Sequence, residues 1–122
     1  MQKKESLLVN RLKSVGYAFK GAFLLIKTES SIQIQFAIAI IVTVAGFIFD
    51  ISTYEWMAQT LAIGLVMGME GMNTTIEEIA NFIHPEHHTR IGLIKDIAAG
   101  AVFIASVFSC IVGFIIYLPK IF

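Results

Sequence analysis

Three polar residues in an otherwise apolar segment could together carry out acid–base and metal chemistry. Glu70, Asn73 and Glu77 are spaced i, i+3, i+7, so in a helix they share one face, with the two carboxylates about 10 Å apart along the axis. A carboxylate at the apolar end of a membrane span is costly unless it is paired, hydrated or protonated. We therefore interpret Glu70 as a general base toward a hydroxyl at the membrane interface, and Glu77 as a metal ligand nearer the water.

These carboxylates also have ordinary structural interpretations. Glu70 could be hydrogen-bonded inside a helix bundle, as at a contact between chains. Glu77 and Glu78 could form a solvated helix end.

Other charged residues are expected at the same membrane level. Glu29 lies where a surface helix gives way to the first apolar span, so it could share a divalent ion with Glu77. Mg²⁺ suits such a pair, because it is typically held by one or two carboxylates plus phosphate oxygens and water. Lys95 could neutralise phosphate charge, although Lys95 and Asp96 could equally anchor a helix at the interface.

Common metal and nucleotide motifs are absent from the sequence. The segment HPEHH, residues 84–88, lacks the helical HExxH frame of zinc sites, and no further soft ligand is available. No GxxxxGK[ST] loop, kinase glycine loop, GxSxG elbow or dinucleotide fingerprint occurs, so any nucleotide must bind in an unusual site. The one cysteine, Cys110, lies in an apolar run and is interpreted as a small filler.

The composition indicates a membrane protein. Of 122 residues, 57% are hydrophobic and 15% are charged, against roughly 25% charged in an average soluble domain. Nine basic and nine acidic residues cancel, which leaves no basic footprint for nucleic acid. We predict a single integral membrane domain over residues 1–122.

The order of apolar and polar segments predicts an all-α fold. An amphipathic pattern over the first part of the chain is typical of a helix lying on a membrane surface. Three apolar stretches follow, each near the length that spans a bilayer. We therefore expect a surface helix at about 5–27, and spans at about 32–49, 56–72 (continuing as helix to about 84) and 97–118.

The basic residues predict the orientation of these spans. Six Lys or Arg precede the first span, and Arg90 and Lys95 lie between the second and third, whereas the loop at 50–55 has none. By the positive-inside rule, the amino terminus and the 84–96 loop are cytoplasmic. Small residues at Gly64, Gly68 and 98–101 could let helices approach closely.

Two motifs give the chain a family resemblance. The pattern E-x-x-N-x-x-I-E at residues 70–77, followed by KDIAAGA at 95–101, resembles the prokaryotic diacylglycerol kinase and undecaprenol kinase family. The similarity covers nearly the whole chain. It includes Arg11, the segment 16–21, Glu29, the loop 85–88 and the close at Leu118 to Lys120.

The resemblance implies a homotrimer in the bacterial cytoplasmic (inner) membrane, with three spans and a surface helix per subunit. It would use MgATP to phosphorylate a lipid hydroxyl in sites shared between neighbouring subunits. The resemblance makes Glu70 the base and Asn73 a support of the reacting centre, with Glu29 and Glu77 holding the metal. The positions that would contact ATP are Arg11, Tyr17, Glu86, His87, His88, Lys95 and Asp96.

Two questions stay open at this point. The acceptor is expected to be diacylglycerol, narrowly ahead of undecaprenol, since the general similarity favours the first and the LPK close the second. A rival of another class is a non-enzymatic membrane protein, such as a small transporter subunit whose Glu70 exchanges protons. The chain also departs from the family pattern at Gln33, Thr75 and Asn81, where arginine, alanine and aspartate are usual.

Overall fold

The chain folds into four α-helices, and the part that the structure describes contains no strand. This computed structural model describes residues 6–122, so the predicted start of the surface helix at residue 5 lies outside the described residues. The helices are α1 (Leu7–Thr28), α2 (Ser30–Ile48), α3 (Thr53–Ile83) and α4 (Thr89–Ile121). The all-α prediction is confirmed.

Helix α1 ends where the sequence predicts the surface helix to give way to a span. The Ser6 side chain caps its amino end by accepting a bond from the Val9 amide at 3.2 Å, and nearly all of its side chains are exposed. Glu29 interrupts the helical run with an extended backbone, at φ −98° and ψ 115°. One non-helical residue therefore separates α1 from α2.

The turn between α2 and α3 is tighter than the predicted loop at 50–55. Asp50 adopts the left-handed region at φ 49°, and the Ile51 and Asp50 amides donate back to the carbonyls of Gly46 and Phe47 at 3.1 and 3.3 Å. These two bonds form a Schellman motif, which ends α2. Helix α3 starts at once, since Ser52 and Glu55 make a reciprocal capping box.

Helix α4 is longer than the span predicted at 97–118. It begins at Thr89, because His88 acts as its cap, so Lys95 and Asp96 lie in its second turn and do not open it. The helix also continues through Pro119 to Ile121. Proline removes only one backbone donor there, and the Lys120 ammonium donates to the Ile116 carbonyl of this last turn at 3.2 Å.

A polar cluster joins three helices at the end of the protein that is distant from Glu70. Gln59 of α3 is buried and donates to the Val42 carbonyl of α2 at 3.1 Å. The Tyr117 hydroxyl of α4 lies 2.5 Å from the Gln59 side-chain oxygen. Interhelical hydrogen bonds of this kind contribute about 0.6 kcal/mol each in membrane proteins. They lie beside an apolar cavity of about 310 Å³ between α2, α3 and α4.

The outer surface of the helices is apolar. Helices α2 and α4 are long and apolar enough to cross a membrane, and large side chains such as Phe47 and Phe103 are at least 70% exposed. Apolar surface of this extent is covered by lipid or by another chain rather than by water. Helix α3 is long enough but less apolar, because polar residues such as Gln59 and Glu70 interrupt it. The second span therefore stays a prediction.

The glycines that touch other helices are not those expected from the sequence. Among residues 6–122, no atom outside the local helix backbone lies within 4 Å of a Cβ built on Gly64 or Gly68, whereas Gly46 and Gly71 each face a side chain of a neighbouring helix. Gly46 is buried against Trp56, which also packs at a tilt against Phe47 with ring centroids 4.8 Å apart. The close approach of α2 and α3 therefore depends on Gly46.

We expect Gly46→Ala to destabilise the protein by about 1–3 kcal/mol, the usual cost of overpacking. The new methyl carbon would lie 2.6 Å from the edge of the Trp56 ring, so the ring must move. Thermal unfolding in detergent micelles would measure the loss. The emission of Trp56, the one tryptophan in the sequence, would report the displacement. Gly21→Ala is the control, since Gly21 faces open space. An unchanged midpoint for Gly46→Ala would contradict this packing.

Candidate functional site

The predicted stripe of polar residues lies on the second half of α3. Asn73 is buried, and its side-chain amide donates to Glu77 at 3.3 Å. Glu70, one turn earlier, is half-buried and makes no hydrogen bond or ion pair with the described residues. The Asn73 side-chain oxygen is buried and has no hydrogen-bond partner in the part of the chain that the structure describes. Buried acceptors are nearly always paired in folded proteins, so this oxygen can accept a bond from a donor or ligate a cation.

Lys95 reaches the same stripe from α4. Its ammonium donates to the Asn81 side-chain oxygen at 2.6 Å, and Asn81 follows Glu77 by four residues, which places it on the same face of α3. Sequence reasoning noted Asn81 only as a departure from the family pattern. Its i+4 spacing from Glu77 was the signal that could have placed it in the site. Because Asn81 is neutral, it holds Lys95 without cancelling its positive charge.

Glu29 lies at the junction of α1 and α2, one turn after the residue through which α1 meets α3. A Cβ on Gly71 would lie 3.0 Å from the Leu25 side chain, so the end of α1 packs against α3 beside Glu70. Glu29 is one turn beyond Leu25, and its amide donates to the Leu25 carbonyl at 3.0 Å. Although Glu29 occupies the cap position of α2, its carboxylate makes no capping bond. This half-buried carboxylate is therefore available to a ligand.

The histidines of the 84–88 loop shape the turn between α3 and α4. The His84 ring nitrogen Nδ1 lies 2.8 Å from the Glu86 carbonyl, and the His88 Nδ1 accepts the Arg90 amide at 3.1 Å. The two rings meet edge to face, with centroids 5.1 Å apart. His87 and Glu86 are exposed at the start of α4, where helix amides favour an anion.

Two of the residues predicted to contact ATP lie far from the α3 stripe and Glu29 of the same chain. Arg11 and Tyr17 are exposed on α1, 18 and 12 residues before Glu29. At 1.5 Å per residue they lie roughly 27 and 18 Å along the helix from it. Asp96 is exposed beside Lys95. One chain thus brings together the α3 stripe and Lys95, but not the first half of α1.

The side chains of the stripe fit a hard cation. Among residues 6–122, no three His, Cys, Asp or Glu side chains are grouped closely enough to form a metal site, so a cation here would take at most two such ligands from these residues. The unpaired Asn73 oxygen lies next to Glu77, and carboxylate and amide oxygens are ligands of Mg²⁺ and Ca²⁺ rather than of soft metals. A site with only two carboxylate ligands suits Mg²⁺, which keeps its remaining coordination positions for water and phosphate.

Comparison with known proteins gives this geometry its context. The model of the family "Prokaryotic diacylglycerol kinase" matches residues 16–117. The undecaprenol kinase of Bacillus subtilis (strain 168) is 39% identical over 109 residues, which are 89% of each chain. The diacylglycerol kinase of Haemophilus influenzae is 28% identical, covering 92% of each chain. That of Escherichia coli (strain K12) is 26% identical, covering 82% of each.

The matched residues include the whole α3 stripe and Lys95. The relatives whose chains are matched over nearly their whole length are named kinases. This decides against the rival interpretation as a transporter subunit. The chain belongs to the prokaryotic diacylglycerol kinase family, a family of lipid kinases, and is itself a kinase.

Proposed function

We propose that the protein transfers the γ-phosphate of ATP to the hydroxyl of a membrane lipid alcohol, with Mg²⁺ and with Glu70 as the general base. The observation that carries the proposal is the α3 stripe. It joins Glu70, a half-buried carboxylate that makes no polar contact with the described residues, to the bonded pair Asn73 and Glu77. Lys95 is held one turn further on.

The chemistry follows from the positions along the stripe. A new bond forms between the lipid oxygen and the γ-phosphorus, and the bond from that phosphorus to the β,γ-bridging oxygen breaks, releasing ADP. The hydroxyl proton passes to Glu70, which has no competing partner among residues 6–122. Lys95 stabilises charge on the phosphate oxygens, because phosphoryl transfer depends mainly on positioning and electrostatics.

Glu77 and Glu29 are the residues that would hold Mg²⁺. Bound there, the ion would neutralise charge on the β- and γ-phosphates. Asn73 orients the Glu77 carboxylate through its hydrogen bond, which is the usual work of a group behind a metal ligand.

The remaining ATP contacts are proposed to come from two chains. Lys95, Asp96 and the loop residues Glu86, His87 and His88 flank the stripe of one chain. Arg11 and Tyr17, roughly 27 and 18 Å along α1 from Glu29, would then belong to the site of a neighbouring subunit. We propose that these subunits form a homotrimer of three-span chains in the bacterial inner membrane, with the amino terminus and the 84–96 loop cytoplasmic.

The acceptor that we propose is undecaprenol, with diacylglycerol as the second candidate. The sequence alone favoured diacylglycerol narrowly. The relative named undecaprenol kinase is 39% identical, whereas the two diacylglycerol kinases are 28% and 26% identical, and this difference reverses the preference. Both lipids carry a hydroxyl that can reach the interface, where cytoplasmic ATP is available.

A comparison of lipids under identical conditions tests the acceptor. Purified protein in mixed micelles would receive ATP with undecaprenol, diacylglycerol or neither, with and without Mg²⁺. We expect ADP release that needs both lipid and Mg²⁺, with a kcat/KM for undecaprenol at least about tenfold higher, a difference of 1.4 kcal/mol in transition-state binding. A higher kcat/KM for diacylglycerol would reverse the order. If neither undecaprenol nor diacylglycerol supported turnover, a lipid alcohol would be rejected as the acceptor.

A further inference from the structure

We propose that Gln33 is a positioning residue for the Glu29 carboxylate, an inference that rests on the proposed function. Its side chain clamps the junction of α1 and α2. The Gln33 amide nitrogen donates to the Ile26 carbonyl at 3.1 Å and to the Lys27 carbonyl at 3.0 Å. One side chain of α2 thus binds the last turn of α1.

These two carbonyls need a partner from outside their helix. The last four carbonyls of a helix have no intrahelical donor, and the extended backbone at Glu29 prevents α2 from supplying amides in register. A primary amide has two N–H groups, so Gln33 satisfies both carbonyls at once.

The two Gln33 side-chain bonds, which we call the clamp, lie next to Glu29, the proposed metal ligand. The Glu29 backbone amide donates to the Leu25 carbonyl, and the Glu29 carbonyl accepts a bond from the Gln33 backbone amide, both at 3.0 Å. With the side-chain bonds to Ile26 and Lys27, this holds the backbone of Glu29 on both sides and leaves its carboxylate free. The direction of that carboxylate is therefore set by the angle between α1 and α2, which Gln33 fixes.

Gln33 acts in this proposal as a hydrogen-bond donor. Substitutions can therefore separate the effect of its N–H groups from the effects of charge and size. Gln33→Met keeps the length of the side chain and loses both N–H groups. Gln33→Arg keeps N–H donors but adds a positive charge, which by itself would weaken the binding of a cation nearby. Recovery of Mg²⁺ dependence by arginine would therefore have to come through the carbonyl bonds.

The experiment measures the Mg²⁺ concentration that gives half-maximal activity, together with amide hydrogen exchange of the segment 25–34 without nucleotide. For Gln33→Met we expect the Mg²⁺ requirement to rise about tenfold, the low end of the effect of losing a group that orients a metal ligand, and exchange at 29–33 to be faster. Gln33→Arg should lie near wild type in both measurements. Gln35→Met is the matched control, with neither quantity changed.

Each outcome decides the proposal. Faster exchange with a wild-type Mg²⁺ requirement in Gln33→Met would make the clamp purely structural and overturn the positioning role. So would a Gln33→Arg variant in which amide exchange at 29–33 is as fast as in Gln33→Met. If Gln33→Met does not fold, the arginine variant alone decides, since it must keep both properties. Failure of wild-type protein to phosphorylate any lipid would reject the proposed function instead, and the exchange data would still test the clamp.

Discussion

Glu70→Gln is expected to lower the rate of phosphoryl transfer by about 10²- to 10⁴-fold, the usual contribution of a general base, without unfolding the protein. The amide has nearly the shape of the carboxylate but cannot accept the hydroxyl proton. Glu70 makes no hydrogen bond or ion pair with the described residues, so the substitution breaks no polar contact among them. The rate would be measured in mixed micelles at saturating ATP and lipid.

The control for this variant is Glu78→Gln on the same helix. Glu78 is exposed and lies two turns further along α3, so its removal changes the charge of the helix but not the base. Thermal unfolding and Trp56 emission would show that both variants are folded. A folded Glu70→Gln protein with wild-type turnover would reject Glu70 as the base, and an equal loss in Glu78→Gln would point to charge rather than proton transfer.

The sequence predicted those features that depend on periodicity and local signals. The i, i+3, i+7 spacing placed Asn73 and Glu77 on one face, and the structure shows them hydrogen-bonded. The break at HPEHH was expected from Pro85, and α3 ends at Ile83. Each of these follows from residues within two turns of one another, so no knowledge of the tertiary packing was needed.

The features that were missed depend on partners distant in the chain or on single side chains. Asn81 joins the site only because α4 returns beside α3 and brings Lys95 to it, 14 residues later. Gly46 matters because Trp56 packs on it, and apolar patterning does not show which glycine meets a large ring. The early start of α4 depends on the His88 ring nitrogen acting as a cap, a role that serine, threonine, aspartate and asparagine fill more often.

Replacing either proposed metal ligand should raise the Mg²⁺ requirement. Glu29→Gln or Glu77→Gln removes one of at most two anionic ligands from a hard cation, and we expect about a 10- to 100-fold higher Mg²⁺ concentration for half-maximal activity. For Glu77 the amide can still accept the Asn73 bond, so the stripe is kept. Unchanged Mg²⁺ dependence in both variants would contradict the shared metal site. Glu78→Gln again serves as the charge control.

The same variants can show which parts of a site come from one chain. Glu70 and Glu77 lie on one stripe, whereas Arg11 lies roughly 27 Å away along α1 from Glu29. If a neighbouring subunit supplies Arg11, mixed trimers of Glu70→Gln and Arg11→Met chains contain complete sites, and activity should return. Mixed trimers of Glu70→Gln and Glu77→Gln should stay inactive, because every stripe carries one defect. Two affinity tags would isolate the mixed assemblies. Recovery in the second mixture, or none in the first, would mean that the site is divided between chains in another way.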